Sequence, residues 1–280
     1  MQYSTFAAID IGSYDVILEI FEISKKQGIR SVDKICHRME LGKDTYTLGK
    51  IRPEMEEELC RVLADFVRIM EGYRVDDYRA TASSAISEAS NSLYVLGKIH
   101  QLTGLSVTVL SNSEQRFLSY KALAAMEDNF NKIIEKGTAI LDLDGGSFQI
   151  SLFDKDALVT TQNIRMGSLR IRERLAGIQS ETEHYEEMVE ELIWNEVSSF
   201  KKMYLKDRKI ENIMLIGDVF TDSVYQNIEE KTTKIISREN FNTWYEKIIR
   251  QSPMELAVKL GIPLENASLM YPSAVIYKCL

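Results

Sequence analysis

The chain has 280 residues, a formal charge of −8, an ordinary apolar fraction of 45% and few Pro or Gly. No run approaches the roughly 18 uninterrupted apolar residues of a membrane span, and the acidic balance opposes non-specific binding to nucleic acid. The length exceeds the usual single core, so two lobes are expected.

The N-terminus, Met1 to Phe6, leads straight into a strand without a basic start or apolar signal core, which points to the cytoplasm. Strands are predicted over Thr5 to Ile11, Val16 to Ile23 and Ser31 to Glu40, joined as a meander. A Gly-bearing loop, Leu41 to Lys50, precedes a helix opened by Pro53, with Met55, Leu59, Val62, Leu63, Phe66 and Met70 at helical spacing and Gly72 at its end. Tyr78 to Ala82 reads as a strand, and Ser83 or Ser84 caps a helix whose apolar face is Ile86, Ala89, Leu93 and Leu96. Val107 to Leu110 is strand-like, and Ser111 to Ser113 offer cap oxygens to a helix beginning near Glu114.

The grammar then repeats. Strands are expected around Thr138 to Leu143, Phe148 to Phe153 and Ala157 to Ile164, followed by a long helix carrying Tyr185, Met188, Leu192 and Phe200. Ile213 to Ile216 is a buried strand, helices follow near Phe241 to Ile249 and Pro253 to Leu260, and Ala267 to Tyr277 is a closing helix across both lobes that Pro272 would kink. The boundary falls between residues 127 and 128, giving lobes 1–127 and 128–280.

Within the repeat, Ala8 to Leu18 is echoed by Ile140 to Leu152. In each copy an apolar run ends in Asp, a Gly/Ser turn follows and a second apolar run begins, which predicts a tight β-hairpin whose backbone can approach a phosphate closely. Two such hairpins facing each other would clamp a phosphate. Asp15 and Asp144, however, put negative charge where a phosphate would want none.

Cys36, Cys60 and Cys279 are odd in number and widely spaced, and His37, His100 and His184 are isolated, so neither disulfides nor a zinc site is indicated. Arg165, Arg170, Arg172 and Arg174, and likewise Lys201, Lys202, Lys206, Arg208 and Lys209, are either basic patches for a polyanion or merely solvated faces.

The chain resembles the exopolyphosphatase and guanosine pentaphosphate phosphohydrolase (Ppx/GppA) family of the actin, sugar kinase and Hsp70 superfamily. The resemblance is carried by the first hairpin, Ala8-Ile9-Asp10-Ile11-Gly12-Ser13; by the Leu41-Gly42 to Pro53 connection; by Ala82 to Asn91; by Ser111-Asn112-Ser113-Glu114-Gln115; by the second hairpin, Asp142 to Gln149; and by Arg165 to Arg170. It implies an α/β fold of two ribonuclease H-like (actin-like ATPase) subdomains flanking a central cleft, where phosphates are removed with magnesium. By the same resemblance, Gly12, Ser13, Gly145, Gly146 and Ser147 supply amides and hydroxyls for the phosphate cradle, and Asp10 and Asp142 hold magnesium. The implied ligand is polyphosphate or guanosine pentaphosphate, bound weakly, with no nucleic acid or membrane partner; pairing into a homodimer is a habit of related proteins.

This sequence departs from the pattern at the positions that matter for turnover. The water-activating Glu is Gln115, the second-loop Glu is Gln149, a family Arg is Ser87, a Gly-Gly-Thr turn reads Gly217-Asp218-Val219, and Asp15 and Asp144 replace Ser and Gly. An amide cannot accept a proton at neutral pH, and general-base assistance is worth roughly 10² to 10⁴ in rate. Glu114, next to Gln115, is either a replacement base or an acid favoured in a first helical turn by the dipole. The expectations are therefore a degraded phosphatase-like scaffold, or an active magnesium-dependent exopolyphosphatase using Glu114 or a displaced base. An ATP-dependent kinase of the same superfamily is disfavoured because the second lobe lacks a convincing Gly-rich adenosine loop. Alternatively, Asp10, Asp15, Asp142 and Asp144 jointly bind a divalent cation.

Overall fold

A computed structural model describes residues 3–126, 130–176, 185–206, 208–217 and 237–280. The chain divides into two compact units, Met1–Leu118 and Ser119–Leu280. Among the described residues no helix is long and apolar enough to cross a membrane.

In the first unit, β1 (Ser4–Ile11), β2 (Asp15–Ser24) and β3 (Gly28–Arg38) form an antiparallel meander, and β4 (Asp77–Ala82) and β5 (Val107–Val109) add in parallel, giving the order β3-β2-β1-β4-β5. The alternation of β1 and β2 sends Ala7, Ile9, Ile11, Val16, Leu18 and Ile20 into one core, and leaves Asp10 on the opposite face. Against that core pack α2 (Pro53–Tyr73), through Leu59, Leu63 and Phe66, and α4 (Ser92–Thr103), through Val95 and Ile99.

The segment expected as a loop at Leu41 to Lys50 is instead helix α1 (Leu41–Leu48). Flanking glycines suggested a loop, but Gly49 serves as a left-handed C-cap at φ 71°, and the helix is fixed by distant partners. Buried Asp44 accepts from the backbone N–H and guanidinium of Arg52, and Thr45 Oγ1 donates to the Ala85 carbonyl at 2.7 Å. Gly72 does not end α2; Arg74 takes the left-handed position at φ 52°. The helix expected after Ser83 is split into a short turn, α3 (Ser84–Ser87), and α4.

The second unit repeats the topology. Strands β6 (Thr138–Leu143), β7 (Phe148–Asp154), β8 (Ala157–Ile164) and β9 (Asn212–Ile216) stand in the order β8-β7-β6-β9, which matches β3-β2-β1-β4 with the same parallel and antiparallel senses. Both units are thus ribonuclease H-like, as the resemblance implied.

Helix α5 (Asn112–Met126) begins in the first unit and ends in the second, where it and α6 (Phe130–Ile134) cover one sheet face through Tyr120, Leu123, Phe130 and Ile134. The other face packs on α7 (Ser168–Leu175), α8 (Tyr185–Tyr204), α9 (Arg238–Ile249), α10 (Pro253–Leu260) and α11 (Leu264–Cys279). Helix α11 packs on α7, α8, α9 and α10 of its own unit. It runs through Pro272 unbroken: the roughly 3 kcal/mol that an interior proline costs a helix is outweighed by burial of Ala267, Met270, Ala274, Val275 and Ile276.

Phe200 of α8 is fully buried in this core and lies 5.2 Å from the Tyr204 ring, centroid to centroid. Phe200→Ala should lower unfolding free energy by about 3–5 kcal/mol in urea titrations, because the cavity cannot close against fixed helices.

Candidate active site

The twin hairpins are built alike. Ile11 pairs with Val16 and Leu143 with Phe148 as the innermost rungs, so Gly12 to Asp15 and Asp144 to Ser147 are equivalent four-residue turns. Each is closed by the same hydrogen bond, from the Gly12 N–H to the Asp15 carbonyl and from the Asp144 N–H to the Ser147 carbonyl, both 2.9 Å. Asp10 and Asp142 occupy the same position, on the strand just before each turn.

In the first unit the turn is tied down from several sides. Gly42 N–H donates to the Ser13 carbonyl at 2.8 Å and Met39 N–H to the Tyr14 carbonyl at 3.1 Å. The Ser13 hydroxyl is fully buried and joins Tyr46 Oη (2.7 Å) and Ser84 Oγ (3.2 Å), which are themselves 2.9 Å apart. Sequence reasoning assigned Ser13 to a phosphate cradle; here its hydroxyl serves a triangle of hydroxyls that braces the turn against α1 and α3. Neither Tyr46 nor Ser84 was foreseen, because nothing local in sequence brings them to residue 13.

Asp10 neighbours Thr81 across β1 and β4, with the hydroxyl 3.4 Å from Oδ1. Although the residue is exposed, the protein packed around its carboxyl group disfavours the charged form, and Asp15 adds negative charge; together they raise its pKa to about 6 against the smaller opposing effect of Thr81. Asp15 is also raised, first by burial, with the Cys36 thiol (3.6 Å), Arg38 and Lys34 pulling the other way. Burial pushes the Cys36 thiol up as well, followed by the charge of Asp15, so it is held as a neutral donor.

In the second unit Asp144 reaches back onto its own turn: Oδ1 accepts the Gly145 N–H at 2.6 Å. The carbonyls of Gly145 and Gly146 are capped by Arg170, through its N–H (2.9 Å) and Nε (2.8 Å). Gly167 closes the underside, where a Cβ would lie 2.2 Å from the Asp144 carbonyl oxygen and 2.4 Å from the Ser147 nitrogen, so only glycine fits. Ser147 is half-buried at the end of this turn.

Asp142 is opposite Gln149 in the β6–β7 register and receives a hydrogen bond from Ser119 Oγ to Oδ2 at 2.8 Å. Burial raises its pKa and Ser119 partly offsets this. Gln149 is almost fully buried. Ser119 was missed from sequence, though it follows Gln115 by four residues and so shares its helix face.

Glu114 and Gln115 open α5. Glu114 Oε2 accepts from the Ser111 N–H (2.9 Å) and Oγ (2.7 Å), while its own N–H donates to Ser111 Oγ at 3.3 Å. This is a capping box, and it lowers the Glu114 pKa, with Ser111 the principal cause and Arg79 a minor one. Gln115 is half-buried, and Ser87 is exposed.

Some members of the basic clusters have partners within the chain. Arg172 binds Glu173 and Ser268, Lys201 lies over the Trp194 ring, Arg208 pairs with Asp154, and Lys209 with Glu211. His184, Asp218 and Val219 lie outside the described residues. Among the described residues no group of three or more His, Cys, Asp or Glu is placed to hold a metal ion. Each hairpin by itself offers one carboxylate just before its turn, Asp10 in the first unit and Asp142 in the second, and a carboxylate is the hard oxygen donor that magnesium takes.

The Ppx/GppA phosphatase family model matches residues 19–279. A bifunctional 3-dehydroquinate synthase/phosphatase from Fusobacterium nucleatum is 22% identical over 238 residues, covering 80% of this chain and 34% of that protein. Exopolyphosphatase 1 of Mycobacterium leprae is 25% identical over 144 residues, 51% of this chain and 41% of that protein. The chain therefore spans less than half the length of these curated relatives. Among solved structures, an exopolyphosphatase from Cytophaga hutchinsonii is similar with a TM-score of 0.85 at 18% identity, covering 99% of this chain and 89% of that one. An Aquifex aeolicus Ppx/GppA family member gives 0.75 at 19%, covering 99% and 90%.

The raised pKa of Asp10 gives a pH signature. With an unfolded value near 3.9 and a folded value of about 6, the native state binds the extra proton between these limits, so stability falls as pH rises through that window and the penalty is complete above it. Asp10→Asn should raise the melting temperature at pH 7.5 and do so much less at pH 4; an equal gain at both would contradict the assignment.

Proposed function

Because this chain belongs to the Ppx/GppA phosphatase family, we propose that it is an exopolyphosphatase-like protein with a degraded site: weak or no hydrolysis of phosphoanhydrides, and a role in binding a phosphorylated ligand or a partner. The observation that carries this reading is the Asp144 carboxylate seated on the Gly145 amide. A phosphate oxygen needs that N–H; here an internal acid holds it and repels an incoming anion. Two like charges about 4 Å apart cost on the order of 1 kcal/mol in water and more where water is scarce.

Phosphoanhydride hydrolysis asks the protein to cradle non-bridging oxygens, offset their charge and orient the attacking water. Gly146 and Ser147 are the remaining residues of the turn that would contribute to the cradle. In each hairpin the Asp before the turn, Asp10 or Asp142, would be the carboxylate for magnesium, which supplies charge neutralisation when bound. Gln115 can orient water but cannot take its proton. Glu114 is a poor substitute: its carboxylate is committed to the helix cap, and a lowered pKa makes it a weaker base. The substrate class suggested by the family is polyphosphate or guanosine pentaphosphate, and a cytoplasmic setting suits both.

Gln115→Glu combined with Gln149→Glu tests the reading through magnesium-dependent phosphate release from long-chain polyphosphate and guanosine pentaphosphate. The wild type should be slow and the double variant faster by roughly 10²-fold or more. A wild type that already turns over rapidly, with no gain in the variant, would establish the active exopolyphosphatase instead.

A further inference from the structure

Helix α5 is locked onto the second sheet at one point. Tyr120 Oη donates to Ser151 Oγ, which lies 3.1 Å from Thr161 Oγ1, and the Tyr120 ring stands edge-on to Phe153 with centroids 5.3 Å apart. Phe130 meets the same Phe153 ring edge-on from α6. These contacts settle the depth and rotation of α5 just where Ser119 faces Asp142. The Ser119 hydroxyl donates to Oδ2 at 2.8 Å, and no described hydrogen bond engages Oδ1. A carboxylate on a strand end rotates easily about its last torsion; one oxygen pinned by a donor on a clamped helix no longer does.

We propose that Ser119 is a positioning residue that holds the Asp142 carboxylate in a single orientation and so sets the affinity of the second hairpin for a divalent cation. The inference rests on the reading of Asp142 as a cation-holding residue given above. Ligating carboxylates are commonly oriented by such outer hydrogen bonds, and removing one typically weakens metal binding roughly 10- to 100-fold. The hydroxyl is also the right donor for the task. It adds no positive charge, whereas a Lys or Arg at 119 would compete with the cation electrostatically.

The test is calorimetric titration of the full chain with Mn²⁺ alone, with folding of each variant verified by circular dichroism. Ser119→Ala should weaken the Mn²⁺ Kd roughly 10- to 100-fold, and Ser119→Thr, which keeps the hydroxyl, should stay within a few-fold of wild type. Should the Ala variant not fold, Ser119→Cys, of similar size and with a much weaker donor, takes its place. An unchanged or tighter Kd without the hydroxyl, equal losses in the Ala and Thr variants, or a wild type that binds no Mn²⁺ would each overturn the proposal. An unchanged Kd in Ser119→Ala alongside restored turnover in the double Gln→Glu variant would overturn this inference alone. A weakened Kd beside a rapidly hydrolysing wild type would overturn only the degraded-site reading.

Discussion

The amide of Gly145 has one hydrogen to give, and in this protein it goes to the carboxylate of the preceding residue. A four-residue β-turn exposes very few backbone donors. One is consumed in closing the turn itself, from Asp144 N–H to the Ser147 carbonyl, so diverting a second removes much of what such a turn can offer an anion. The diversion is also charged: the group that occupies the donor is the one that repels phosphate. The turn is at the same time rigid, because Arg170 caps two of its carbonyls and Gly167 leaves no space beneath it. A rigid turn cannot rearrange cheaply to free the amide.

The first hairpin has Gly12 where the second has Asp144 and is closed by the same backbone hydrogen bond, but its side chains are engaged differently. Ser13 turns its hydroxyl inward to Tyr46 and Ser84, and desolvation of the Asp10 carboxyl, with the charge of Asp15 second, raises its pKa to about 6. The two copies therefore share backbone geometry while their side chains have diverged. One spends a carboxylate on its own amide, and the other spends a hydroxyl on its scaffold. Both patterns preserve the hairpin as a structural element and draw chemistry-bearing groups into internal contacts, a state in which folding and ligand binding compete for the same donors.

Much of the fold was legible in the sequence. Alternation of Ala7, Ile9 and Ile11 against Asp10, and its echo at Leu141, Asp142 and Leu143, announced two hairpins and two copies of one unit, because a strand with one buried face writes its period into the chain. What escaped was decided by distant partners. Helix α1 reads as a loop until Arg52 is known to sit on Asp44, and α11 reads as broken until its burial is weighed against Pro272. The site divides likewise. The Asp and Gly positions are visible as a motif, and the acid at 144 was visible as a misplaced charge. That Asp144 bonds its neighbour's amide, that Ser13 is spoken for by Tyr46, and that Ser119 reaches Asp142 depend on side-chain direction and contacts separated by up to 71 residues, as for Ser13 and Ser84, which spacing alone does not encode. Glu114 illustrates the converse: read from sequence as an acid favoured in a first helical turn, it sits there and closes a capping box with Ser111.

The most direct measurement is the affinity of Asp144→Gly for tripolyphosphate by calorimetry, beside the wild type at the same ionic strength. Freeing the Gly145 amide and removing one carboxylate should together be worth at least about 1.4 kcal/mol, a tenfold gain, over a wild type that binds only weakly. Tight binding by the wild type, with no improvement on removing the acid, would contradict the claim that this turn is closed to phosphate by its own side chain.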